Sequence, residues 1–108
     1  MANVFKSITD TGVGTSLTTV YTCPASTTAV VIGCNVSNTT GGQITVDVKL
    51  NKNTGDDVFV VRNIPIPNGS SYEFIAGSKL VLEASDALQV QSNAATSVDV
   101  IVSVLESS

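Results

Sequence analysis

The chain has no histidine and no tryptophan, and its five lysines and arginines face nine aspartates and glutamates, for a net charge of −4. Each shortage excludes something. Without an imidazole, neither a Ser-His-Asp nor a Cys-His relay can be assembled. Two cysteines and no histidine are too few to close a zinc site. So few cations leave no basic face to follow a phosphate backbone, and nucleic-acid binding is not expected. No stretch approaches the ~18–20 apolar residues that a bilayer demands, so no membrane partner is expected. The first twenty residues hold Asn3, Lys6, Thr9, Asp10 and Thr11 and no continuous apolar core, so no secretory signal is read there. Synthesis in a cytoplasm is therefore expected, with Cys23 and Cys34 as free thiols. A Cys23–Cys34 bond is the open alternative.

What is present points to strands. Charged residues make up 13% of the 108-residue chain, well below the ~25% usual for soluble domains. Serine and threonine supply the polar surface, with 26 residues together, and valine is the commonest single residue at 17. Valine and threonine are β-branched and suit a pleated sheet better than a helix. The length fits one domain, residues 1–108, burying roughly two-thirds of the surface its extended chain exposes. A surface this poor in charge hints that part of it is covered in an assembly.

Period-two alternation organises the chain around residues 30–50, VVIGCNVSNTTGGQITVDVKL. Val30, Ile32, Cys34 and Val36 alternate with Val31, Gly33, Asn35 and Ser37. After a Gly-rich turn, Ile44, Val46, Val48 and Leu50 alternate with Gln43, Thr45, Asp47 and Lys49. The pattern predicts a two-strand hairpin with the first set of each strand inward. Function is then expected on the opposite phase, at Val31, Asn35, Thr45, Asp47 and Lys49. Further strands are expected over 4–11, 17–22, 56–62, 71–75, 79–84, 87–92 and 97–105. Ile64-Pro-Ile-Pro67 reads as an extended crossing between sheets. Residues 1–15 are an edge strand or an N-terminal arm, with Lys6 as the kind of charge that blunts an edge. In the last strand Val98, Val100, Val102 and Val104 form the inward stripe. Its other face carries Ile101 and Leu105 and is therefore expected to be partly covered. About eight short strands with turn signals roughly every ten residues predict an all-β, antiparallel β-sandwich.

The remaining chemical candidates are weak. Glu73, Glu83, Asp86 and Asp99 are the carboxylates available for a glycosidase-like pair, but they read as solvated charges on outward phases or in turns. Asp56 and Asp57 near Asn51, Asn53 and Thr54 lack the spacing of a calcium loop. Gly12-Val13-Gly14 has no helix or Lys-Ser/Thr pair after it, so it reads as a turn. Asn35, Asn38 and Asn68 head Asn-x-Ser/Thr triplets, matches expected by chance in so Ser/Thr-rich a chain. Tyr72 and Phe74 share a strand face and read as core rather than a sugar platform. No catalytic, cofactor-binding or metal residue is assigned, and an enzyme is not expected.

Four stretches carry a family likeness. VYTCPASTTAVVIG (residues 20–33), IPIPNGSSYEF (64–74), KLVLEASDALQV (79–90) and VSVLE (102–106) resemble recurring landmarks of small structural proteins of tailed bacteriophages. The likeness spans residues ~17–106 and consists of strand-and-turn patterns. It implies a jelly-roll-like β-sandwich of the virion, assembled in the host bacterial cytoplasm, most of all of the capsid decoration or cement type. The partners implied are the major capsid protein or other virion subunits, and further copies of the chain in a homotrimer. Alternatives are a tail, neck or baseplate adaptor and a glycan- or receptor-binding module. The expected partner contacts are Ala2, Asn3, Val4 and Phe5 in the N-terminal segment, with Ile101 and Leu105 on the last strand.

Overall fold

The computed structural model describes residues 3–73 and 79–107. Nine strands follow in order: β1 (Asn3–Val13), β2 (Thr18–Thr22), β3 (Thr28–Asn38), β4 (Ile44–Asn51), β5 (Val58–Ile66), β6 (Ser71–Glu73), β7 (Leu80–Leu82), β8 (Ala87–Ser92) and β9 (Val98–Ser107). No helix occurs among the described residues. One sheet has the order β1-β9-β3-β6, with β7 also pairing β3, and the other has the order β2-β8-β4-β5. Every pairing is antiparallel. β6 and β7 lie along different halves of β3, opposite residues 35–37 and 29–31. Counted as one interrupted edge, they make eight strand positions in two four-stranded sheets, which is a jelly roll. The expected antiparallel, jelly-roll-like β-sandwich is the observed architecture.

The expected hairpin at residues 30–50 does not form. β3 and β4 lie in opposite sheets and share no pairing. Alternation reports which face of a strand is apolar, not which strand lies beside it. The turn between them is a corner between layers, and Asn38 builds it. Its buried amide donates to the carbonyls of Gly42 at 2.7 Å and Ile66 at 2.9 Å, while Oδ1 accepts from the Thr40 N–H and hydroxyl. The true hairpin is β4–β5, closed by the 51–57 turn. β5 runs on through Pro65, which pairs Thr45, so the crossing begins only after Ile66. Proline is tolerated there because β5 is an edge strand.

The inward phase of β3 also differs from expectation. Ala29, Val31, Cys34 and Val36 are buried, whereas Ile32 is 40% exposed and Val30 half-buried. A β-bulge between Val31 and Gly33 inserts Ile32 and flips the phase midway. The bulge leaves Cys34 N–H to donate to Glu73 Oε2 at 2.9 Å. Val31 is therefore core, not part of a functional face. The other stripes match their expected phase: Ile44, Val46 and Val48 on β4 and Val98, Val100, Val102 and Val104 on β9 are all at most 2% exposed. The core lies between the two sheets, with β9 hydrogen-bonded to β1 and β3 within its own.

Val46 sits at the centre of this layer at 0% exposure. Val46→Asp places an unpaired charge there and is expected to abolish the folded state. Thr45→Asp, on the opposite phase, is expected to keep it, at a cost below about 1 kcal/mol. Circular dichroism melts of the two variants check the pair.

Candidate functional site

The outward face of the β1-β9-β3-β7 sheet collects apolar side chains into a band. Residues directly paired across an antiparallel ladder point to the same face. Phe5 pairs Leu105, Leu105 pairs Val30, and Val30 pairs Val81, so one apolar row crosses four strands. Phe5 is 73% exposed and Val81 55%, while Leu105 and Val30 are half-buried between them. The bulge adds Ile32 beside this row. Ser7, Ser103 and Gly33 make the next row, and Thr9, Ile101, Asn35 and Glu73 the one after, where Ile101 is 50% exposed. Glu73 and Asp99 bring charge to this face, and the Glu73 carboxylate reaches the bulge, where it accepts the Cys34 N–H.

The opposite sheet has a different outer face. One row reads Thr19, Gln89, Lys49, Phe59, and Asp47 pairs Gln91 beside it. Arg62 stacks over Phe59 at 4.5 Å from the ring centroid, which covers the aromatic with charge. These rows are mainly polar, in contrast to the apolar row across the other sheet.

Of the expected contact residues, Phe5, Ile101 and Leu105 are brought together on the apolar face. Asn3 ends β1 opposite Ser107, and Val4 points to the inner phase opposite Glu106. Ala2 lies outside the described residues, as does Phe74. Val30, Ile32 and Val81 were not singled out from the sequence. The bulge hid the first two, and β7 is too short to show a phase. Tyr72, expected in the core, is 38% exposed, whereas Tyr21 is buried. Among the described residues there is no cleft and no cluster of three His, Cys, Asp or Glu side chains.

Two buried carboxylates hold the frame behind this face. Glu106 continues the inward stripe of β9 and is 8% exposed. It accepts the Tyr21 hydroxyl at 2.5 Å and pairs with Lys6 Nζ at 3.0 Å, tying β9 to β2 in the other sheet and to β1. The Tyr21 hydrogen bond, then Lys6, hold its carboxyl below the usual range against the opposing effect of burial. Asp86 is 1% exposed, contrary to the solvated turn residue expected. It accepts from Lys52 Nζ at 2.6 Å and from the N–H groups of Asn53 and Glu83, each at 2.9 Å. Burial alone would raise its pKa, but these donors together lower it. Cys23 and Cys34 are free and buried, and burial raises both thiols. Burial likewise raises the Tyr21 phenol, helped by Glu106.

No protein-family model matches this sequence, and no curated protein matches it. Among solved structures, a chain of the acid-stable capsid of Helicobacter pylori bacteriophage KHP30 is similar over 98% of this chain and 87% of its own length, with a TM-score of 0.54 and 9% identity. A chain of infectious bursal disease virus, Gt strain, covers 96% of this chain at 11% identity and a TM-score of 0.47, and this chain spans 32% of it. At 9% identity the KHP30 likeness is one of fold: the same two-sheet architecture occurs in a phage capsid structure.

The carboxylate geometry sets a pH profile. A carboxyl whose pKa is lowered by folding adds stability above its ordinary value, 4.5 for Glu106 and 3.8 for Asp86, and loses it as pH falls through the folded value. Thiols and a phenol raised by folding keep their stability below their ordinary values, 9.0 and 10.0, and lose it at higher pH. The melting temperature is therefore expected to be level from about pH 5 to 8 and to fall on both sides. Glu106→Gln should lower the plateau and flatten the acid limb, which thermal melts across pH measure.

Proposed function

We propose that this chain is a non-enzymatic structural protein of a phage virion, a capsid decoration or cement protein that clamps neighbouring shell subunits. The observation that carries the reading is the apolar row of Phe5, Leu105, Val30 and Val81, with Ile32 beside it, on one outer sheet face. A contiguous apolar row of this kind on an outer sheet face marks a surface meant to be covered. The KHP30 likeness supports the setting, because that chain, from a capsid structure, is of nearly the same length as this one. A short chain with one rigid sandwich suits a clamp laid on a pre-formed shell. By binding the assembled lattice and not its separated subunits, it stabilises the assembled state by mass action. Many copies at symmetric positions let modest contacts add. Within this reading the chain works as a homotrimer, with its neighbours in the major capsid protein lattice.

Cryo-electron microscopy of the phage particle carrying this chain tests the placement. Density for the jelly roll is expected on the outside of the shell; density on the tail or neck alone would replace the clamp with an adaptor. Leu105→Asp should leave the melting temperature within a few degrees and remove the chain from the particle. Native mass spectrometry of the purified protein should give a trimer, and a strict monomer at micromolar concentration would count against a symmetric clamp.

A further inference from the structure

The apolar band explains Phe5 but not its neighbour. Val4 is 45% exposed, and it points to the opposite side of the sheet. No partner lying flat on the outer face reaches both. A strand laid alongside β1 does, because its side chains fall beside those of β1 on the two faces at once.

The four sheet edges are not equally fit for such an addition. β2 has five residues and a register shift. β5 carries Pro65, Asn63 at φ 53° and two register shifts. β6 and β7 have three residues each. β1 is continuous and in register with β9 from Asn3 to Asp10, without proline, and among the described residues β9 is its sole ladder partner. Its other row of N–H and C=O groups is a free template.

Lys6 narrows the occupant. Its side chain is 49% exposed at the middle of this edge and pairs with Glu106. Antiparallel pairing of two β1 edges about a two-fold axis centred anywhere from Phe5 to Ser7 sets Lys6 directly or diagonally against its own copy, which is repulsive. An axis at Ile8 sets Lys6 against Asp10 but carries Val4 and Phe5 past the regular register, which ends at Asp10. The other edges of a second copy are too short or too irregular to replace it. An acidic residue on a different chain would instead be drawn to this position.

We propose that the free edge of β1, from Asn3 to Asp10, accepts an extended strand from another virion subunit, one with apolar residues beside Val4 and Phe5 and an acidic residue near Lys6. This rests on the virion reading above. The partner adds main-chain hydrogen bonds to β1 as well as apolar contact, and so grips the chain by its edge rather than by its face alone.

The test is co-sedimentation of the purified protein with capsids that lack it, using wild type, Val4→Ser, Phe5→Ser and, as a control on the far sheet, Val58→Ser. All three positions are exposed, so melting temperatures should stay close. Val4→Ser and Phe5→Ser are each expected to weaken binding at least tenfold, and Val58→Ser to bind like wild type. Loss with Phe5→Ser but full binding by Val4→Ser would overturn strand addition and leave flat docking. Wild type failing to sediment with the capsids would overturn the shell reading itself, and strand addition with it.

Discussion

Two sheets, each apolar on one face, can leave water only by closing on one another, and every other feature of this domain follows from that closure. The core is made of mid-sized aliphatic side chains. Val31, Val36, Val46, Val48, Val90, Val98, Val100, Val102 and Val104 are almost fully buried, and Tyr21 is the one aromatic among the described core residues. Side chains this alike do not identify their partners by shape. Register does that work, since slipping a strand by one residue would turn its whole apolar set outward. The irregular positions are therefore where specificity sits: the bulge at Ile32, the corner at Asn38 and the Glu106–Tyr21 contact that joins the layers near one end.

The polar groups inside the sandwich follow the same logic. Asn38 and Asp86 each satisfy several main-chain or side-chain donors and acceptors at a corner. A buried polar group without partners would cost a large fraction of a small domain's stability. Satisfied, it selects one path of the chain between sheets over others that bury the same valines. Burial with defined partners, not exposure, accounts for these residues.

Much of the architecture was legible because strand alternation survives where the described residues form strands and no helix. The inward stripes of β4 and β9, the β4–β5 turn and the bounds of β8 could be read directly. The partner of β3 could not, because two strands facing each other across a core show the same alternation as two strands side by side. Its phase could not either, because Ile32 is an extra residue that nothing in its identity marks. Glu106 was readable in principle: counting on by two from Val104 reaches it, which puts a carboxylate on an inward stripe and calls for a partner such as Tyr21 or Lys6. On the candidate face, Ile101 and Leu105 broke the alternation of β9 and so could be found. Val30 and Val81 join them only through pairings that the sequence does not display.

The contrast between the two outer faces bears on function. An antiparallel sheet with one side in the core ordinarily turns polar residues to the other side, and the β2-β8-β4-β5 sheet does so with Thr19, Gln89, Gln91, Asp47 and Lys49. The other sheet departs from the rule at Phe5, Val30, Ile32, Val81, Ile101 and Leu105. These side chains point away from the core, so folding gains little from their being apolar. A threonine or glutamine at the same positions would keep the strand and raise solubility. In the proposed role their hydrophobicity has its effect outside the domain, where a partner surface removes it from water at about 25 cal/mol per Å² of apolar area. On a shell, where one domain recurs at every equivalent site, a contact of this kind need only be modest to make dissociation of the lattice slow, provided each copy is held at a defined angle. An apolar face alone does not define that angle. The proposed strand addition on the long, regular edge of β1 supplies it, because a hydrogen-bonded ladder allows one register and one direction.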